Sequence, residues 1–96
     1  MNKSGYVYII TNKYNTTLYI GVTSDLTKRI WEHKNHVVDS FSKRYDLNKL
    51  VYYEVIDDIE SAIVREKFLK GKKREYKNNL IDKFNPKWED LYETII

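Results

Sequence analysis

The 96-residue chain carries 17 Lys and Arg against 14 Asp and Glu, a net charge of +3, with no cysteine, one proline and three glycines. A folded chain of this size buries only about 60–70% of the surface its unfolded form exposes, which predicts one domain over residues 1–96 with a small, single core and no second catalytic unit. Disulfides, thiolate nucleophiles and Cys-based zinc fingers are excluded. The longest run without a polar break, Tyr6 to Ile10, is far short of the roughly 18–20 apolar residues of a membrane span, so the expectation is a soluble, unprocessed cytoplasmic protein.

In chain order, Tyr6-Val7-Tyr8-Ile9-Ile10-Thr11 and Thr17-Leu18-Tyr19-Ile20-Gly21-Val22 are β-branched and aromatic runs separated by Asn12-Lys13-Tyr14-Asn15, a hairpin pattern. Pairing Thr11 with Thr16 across a four-residue loop puts Tyr8 opposite Tyr19. Val7, Ile9, Leu18 and Ile20 then share an aliphatic face suited to a core, and Tyr6, Tyr8, Tyr19 and Gly21 share a phenolic one with a glycine gap.

Thr23 or Ser24 is the expected cap of a helix beginning at Asp25 and running to about Asn35. Its inward stripe is mixed, because Leu26, Arg29, Ile30 and His33 follow the i, i+3, i+4, i+7 spacing. Asp39 to Asp46 reads as a short helical or irregular link, and Leu50 to Ile56 as a third strand. Asp57 and Glu60 resemble a capping box that opens a helix to about Lys70, with Glu66 in the apolar seam of Ile59, Ala62, Ile63 and Leu69. Gly71 ends or kinks that helix, and another spans Lys72 to Phe84 before Asn85-Pro86. The fold class predicted is α/β of the α+β type: a small three-stranded antiparallel sheet with an N-terminal β-hairpin, flanked by helices.

Between Arg65 and Lys77, seven cations (Arg65, Lys67, Lys70, Lys72, Lys73, Arg74 and Lys77) meet two carboxylates, a local charge of +5 on a remainder of −2. Such a block suits a polyanion, while a solvated lysine-rich helix face is the commoner origin of such a run; charge alone does not settle between them. His33 and His36 form an H-x-x-H with no matching second pair, which argues against structural zinc. The scattered glycines give neither a dinucleotide fingerprint nor a phosphate loop, so no nucleotide cofactor is expected, and no serine has a nucleophile-elbow setting. Tyr8, Tyr19, Arg29, His33 and Glu66 remain, each where a core side chain would be expected. Burying a carboxylate and a guanidinium costs several kcal/mol unless they pair or hold an ion, so their coincidence points to a site.

These residues resemble the GIY-YIG nucleases, named for two short motifs on a hairpin. The second motif is intact as Tyr19-Ile20-Gly21; the first stands as Tyr6-Val7-Tyr8, keeping its final tyrosine. Eleven positions separate Tyr8 from Tyr19 and ten separate Tyr19 from Arg29, with His33 one helical turn later. Ala62-Ile63-Val64-Arg65-Glu66-Lys67 looks like the family's glutamate segment. Lys70-Gly71, the basic stretch after it, and Asn85-Pro86-Lys87-Trp88-Glu89-Asp90-Leu91 resemble the tail of its small single-domain bacterial members. The resemblance covers about Gly5 to Leu91, departing at the first motif and at Lys72, where the small members usually carry an aromatic residue.

The resemblance implies an endonuclease that hydrolyses DNA phosphodiester bonds with one divalent ion, Mg²⁺ or Mn²⁺, held by Glu66, in repair, recombination or the processing of structured DNA. Tyr8 would activate water, Tyr19 orient it, His33 relay or accept the proton, and Arg29 stabilise the phosphate. Lys67, Lys70, Lys72, Lys73, Arg74 and Lys77 would contact DNA, and Asn85 is carried over as a supporting position. A bacterial cytoplasmic location, nucleoid-associated during action on DNA, goes with this reading. The rival expectations are a DNA-binding module of the same fold without turnover and a protein-interaction adaptor.

Overall fold

The computed structural model describes residues 4–37 and 40–96, with Ser40 described by its backbone alone. Asp39, where the expected link begins, lies outside them. Among the described residues the chain forms β1 (Gly5–Thr11), β2 (Leu18–Thr23), α1 (Leu26–Lys34), α2 (Ser40–Arg44), β3 (Lys49–Ile56), α3 (Ile59–Lys70), α4 (Arg74–Phe84) and α5 (Tyr92–Ile95). The strands make one antiparallel sheet in the order β2-β1-β3. The expected α+β fold, a three-stranded antiparallel sheet with an N-terminal hairpin and flanking helices, is therefore observed.

The hairpin register differs from the expected one by two residues. Tyr8 pairs with Gly21, Ile10 with Tyr19 and Thr11 with Leu18. Thr16 is drawn out of the ladder because its N–H donates to Asn12 Oδ1 at 2.9 Å and its hydroxyl accepts from Asn12 Nδ2 at 2.7 Å. Arg74 reaches over from α4 and donates to the Asn15 and Thr16 carbonyls at 2.8 and 3.0 Å, fixing the longer loop. A slip of two leaves every side chain on its original face, so the division into aliphatic and phenolic sides survives.

Both faces of the sheet are buried, which replaces the expected single core with two. Val7, Ile9, Ile20, Val51 and Tyr52 pack with Ala62 and Leu69 of α3 and Ile81 of α4. On the other face Tyr8, Ile10 and Leu50 pack with Leu26 and Ile30 of α1 and with Leu47, and Tyr92 and Ile95 of α5 close that layer. A register shift between Ile9 and Ile10 lets Leu50 and the adjoining Val51 and Tyr52 serve different layers.

The caps also differ by one or two residues from those expected. Asp25 caps α1 by accepting from Lys28 N, and its own N–H donates to Thr23 Oγ1 at 3.0 Å, so Thr23 shapes the turn before the helix. Asp58, not Asp57, caps α3 by accepting from Ser61 N at 2.8 Å. Gly71 ends α3 as its C-cap.

The chain after α4 forms a clasp over β3. Asn85 is buried; its Nδ2 donates to Val51 O at 3.1 Å and Glu89 O at 2.8 Å, while its Oδ1 accepts from Glu89 N at 3.2 Å. Asp90 accepts from Leu50 N and from Lys34 Nζ, and Leu91 N donates to Leu50 O at 2.7 Å.

Candidate active site

Alternation along β1 sends Tyr8 to the α1 face, where it is 1% exposed. Its ring lies across Gly21 on β2: a Cβ at Gly21 would stand 2.3 Å from the Tyr8 Cζ and hydroxyl oxygen. The glycine therefore makes the space that lets the phenol reach past the strand toward α1. Tyr19, on the same face two residues earlier on β2, has its ring centroid 6.5 Å from that of Tyr8.

His33 closes the group from α1. Its Nε2 is 2.8 Å from the Tyr8 hydroxyl oxygen, and its Nδ1 is 3.0 Å from Ser42 Oγ on α2, all of them buried. A neutral imidazole donates through one nitrogen and accepts through the other, so these two contacts fix the orientation of the ring. The Tyr19 ring meets the imidazole edge-on with centroids 5.8 Å apart. Tyr8, Tyr19 and His33 are thus brought together in side-chain contact.

Arg29 lies one turn before His33 on the same face of α1. Its Nε is 3.3 Å from Glu32, its side chain remains 40% exposed, and it lines a cleft of about 280 Å³ with Thr23, Ser24, Asp25, Lys28 and Glu32. Glu66 comes from α3, which packs through Ala62 and Leu69 on the sheet face opposite Tyr8. Its carboxylate is 3.0 Å from Lys70 Nζ, its side chain is only 13% exposed, and Lys70 Nζ sits 5.8 Å from the Tyr19 ring centroid. Four of the five predicted positions thus form a connected series, with Lys70 joining Glu66 to Tyr19, while Arg29 contacts Glu32 and stands one helical turn from His33.

The basic block is less free than its composition suggests. Arg65 makes a bidentate pair with Glu54 at 2.9 and 2.8 Å, and Tyr52 donates to the same carboxylate. Burial alone would raise the Glu54 pKa, but the hydrogen bonds from Arg65 and Tyr52 outweigh it and hold the carboxyl below its ordinary value. Burial first, and then the Glu54 carboxylate, push the Tyr52 phenol above its ordinary value. Arg74 is engaged by the hairpin loop and Lys70 by Glu66, while Lys67, Lys72 and Lys73 are exposed and Lys77 is half-buried.

A family model describing the GIY-YIG catalytic domain matches residues 4–82. The chain belongs to the GIY-YIG family. Similar proteins include a UPF0213 protein of Clostridium perfringens, 36% identical over 88 residues that span 92% of each chain. A UPF0213 protein of Haloquadratum walsbyi is 32% identical over 85% of this chain and 91% of its own, and one of Staphylococcus saprophyticus is 36% identical over 79% and 92%. No solved structure matches the chain. GIY-YIG domains are those of nucleases that act on DNA. No helix among the described residues is long and apolar enough to cross a membrane.

Asn85, past the stretch matched by the GIY-YIG family model, has its amide occupied by Val51 and Glu89 rather than by the tyrosine and histidine group. Sequence reasoning missed Ser42 and the bridging position of Lys70. Ser42 lies in a short segment without periodicity, so nothing in the pattern singles it out. Lys70 is one turn after Glu66 on the same helix, a spacing that signals the ion pair, while its reach to the Tyr19 ring has no signal in the sequence.

Proposed function

We propose that this protein is a metal-dependent endonuclease that hydrolyses DNA phosphodiester bonds, working on structured DNA in repair, recombination or related processing. The observation that carries this reading is the buried contact between the Tyr8 hydroxyl and His33 Nε2 at 2.8 Å. With Nδ1 donating to Ser42, Nε2 accepts from the phenol. A water placed against Tyr8 then loses its proton to the phenol oxygen as the phenol proton passes to Nε2. The water oxygen bonds to phosphorus, the bond to the 3′ oxygen breaks, His33 is left as the imidazolium, and the departing 3′ oxygen takes a proton from solvent to become the hydroxyl. A phenol of ordinary pKa, near 10, needs such a partner to act at neutral pH.

Tyr19 orients the water from the neighbouring strand position. Arg29, with its side chain still open to solvent, donates to the nonbridging phosphate oxygens as negative charge builds on them. Glu66 supplies one hard oxygen donor at the edge of the site, and among the described residues no three His, Asp or Glu side chains gather into a cage. That donor set fits Mg²⁺ or Mn²⁺ retaining waters and taking phosphate oxygens, with Glu66 leaving Lys70 to hold it. A bound divalent ion would neutralise the phosphate and stabilise the leaving oxygen. The fold offers little surface for reading bases, which favours selection of DNA by shape.

The test is cutting of supercoiled plasmid and branched oligonucleotides with and without a divalent ion. Cutting is expected with Mg²⁺ or Mn²⁺ and is lost with EDTA and in Tyr8→Phe, Arg29→Ala and Glu66→Ala proteins that still fold. Full activity in Glu66→Ala would overturn the metal assignment. Salt-sensitive DNA affinity without any product would make the domain a binding module.

A further inference from the structure

A series of aromatic rings runs from the site to the surface. Tyr19 contacts Phe41 with centroids 6.1 Å apart, and Phe41 contacts Tyr45 with centroids 4.8 Å apart. The last two rings are 42% and 44% exposed, although apolar side chains of this size normally go into a core. They lie four residues apart, on one face of α2 and its C-terminal turn. Lys43 and Arg44 of the same helix are exposed, and α2 itself contains no carboxylate. Among the described residues the next carboxylate along the chain, on Asp46, is 3.8 Å from His36.

We propose that Phe41 and Tyr45 form a stacking platform for an unpaired nucleotide of the DNA beside the scissile phosphate. The proposal rests on the nuclease reading and names the feature of the substrate that it selects. Exposed flat rings on a short helix that also carries two exposed cations fit a nucleobase attached to a phosphate backbone: the ring takes the base face and the cations take the phosphates. In an intact duplex both faces of an internal base are already stacked, so a protein ring can accept only a base released at a fork, flap, gap or frayed end. Because Phe41 also touches Tyr19, a base held there would set the position of the adjoining phosphate relative to the site.

The platform is tested in EDTA, where nothing is cut, with a forked duplex carrying 2-aminopurine at its first unpaired position and a fully paired duplex of the same sequence. The protein should quench the fluorescence of the fork only. Phe41→Leu and Tyr45→Leu should each weaken fork binding about 5- to 100-fold while paired-duplex binding stays within about twofold. Tyr45→Leu keeps the test decisive if Phe41→Leu disturbs Tyr19. Equal affinity for fork and duplex, or leucine variants that bind the fork like the unaltered protein, would overturn the platform and leave the nuclease reading standing. Absence of both DNA affinity and metal-dependent cutting would overturn both.

Discussion

Gly21 stands directly opposite Tyr8 on the β1–β2 ladder, and the Tyr8 ring occupies the space that any side chain at Gly21 would need. The glycine of the Tyr19-Ile20-Gly21 motif is thus a consequence of where the other motif's tyrosine lies. Gly21→Ala should destabilise the fold by about 1–3 kcal/mol through overpacking. Displacing the phenol by an ångström should also lower cutting by about 100-fold. Chemical denaturation and a nicking assay on the same preparation check both.

Tyr8→Phe keeps the ring and removes the oxygen. Cutting should fall by about 10²- to 10⁴-fold, the usual range for a general acid or base, while stability changes by only about 0.5–1.5 kcal/mol. Ser42→Ala leaves the phenol in place and removes the hydroxyl 3.0 Å from His33 Nδ1; loss of one orienting hydrogen bond should cost about fivefold in rate, with Ser42→Thr restoring it.

Asn85→Ala should act on stability rather than chemistry. It strips the clasp of three hydrogen bonds and leaves the Val51 and Glu89 backbone groups without the amide, a loss of roughly 2–3 kcal/mol. Below the melting transition, the rate per folded molecule should remain within about twofold of the unaltered protein.

The Tyr52–Glu54–Arg65 cluster predicts a stability profile with two shoulders. The Glu54 carboxyl is held below its ordinary value, so its contribution is complete above about pH 5 and fades as the pH falls through the native value. Tyr52 is held above its ordinary value, so its contribution is complete below about pH 9 and fades as the pH rises beyond 10. Glu54→Gln should lower stability by about 1–3 kcal/mol near neutrality and reduce both shoulders. Urea midpoints measured across pH read this directly.

The strands, the helix order and the sheet faces were legible because period-two and period-3.6 patterns do not depend on which loop joins them. The hairpin register was not, since it turns on Asn12 holding Thr16 and on Arg74, 58 residues away from Thr16, gripping the loop. The second core was hidden by its composition: Tyr6, Tyr8 and Tyr19 make a phenolic face, yet they pack in one layer with Ile30 and Leu47. Within the site, His33 and Glu66 stood out as polar intrusions in apolar stripes, whereas Ser42 sits in a segment with no stripe to interrupt.

Three of the seven cations between Arg65 and Lys77 are already bound to partners inside the fold. Without a divalent ion on Glu66, four lysines remain to displace sodium or potassium from a DNA backbone, so this block can then contribute a slope of only about −3.6 to a plot of log affinity against log salt concentration. A grip that shallow lets the molecule leave its product easily, and it moves the burden of finding the right place to cut from the cationic helix to whatever contacts lie around the tyrosines.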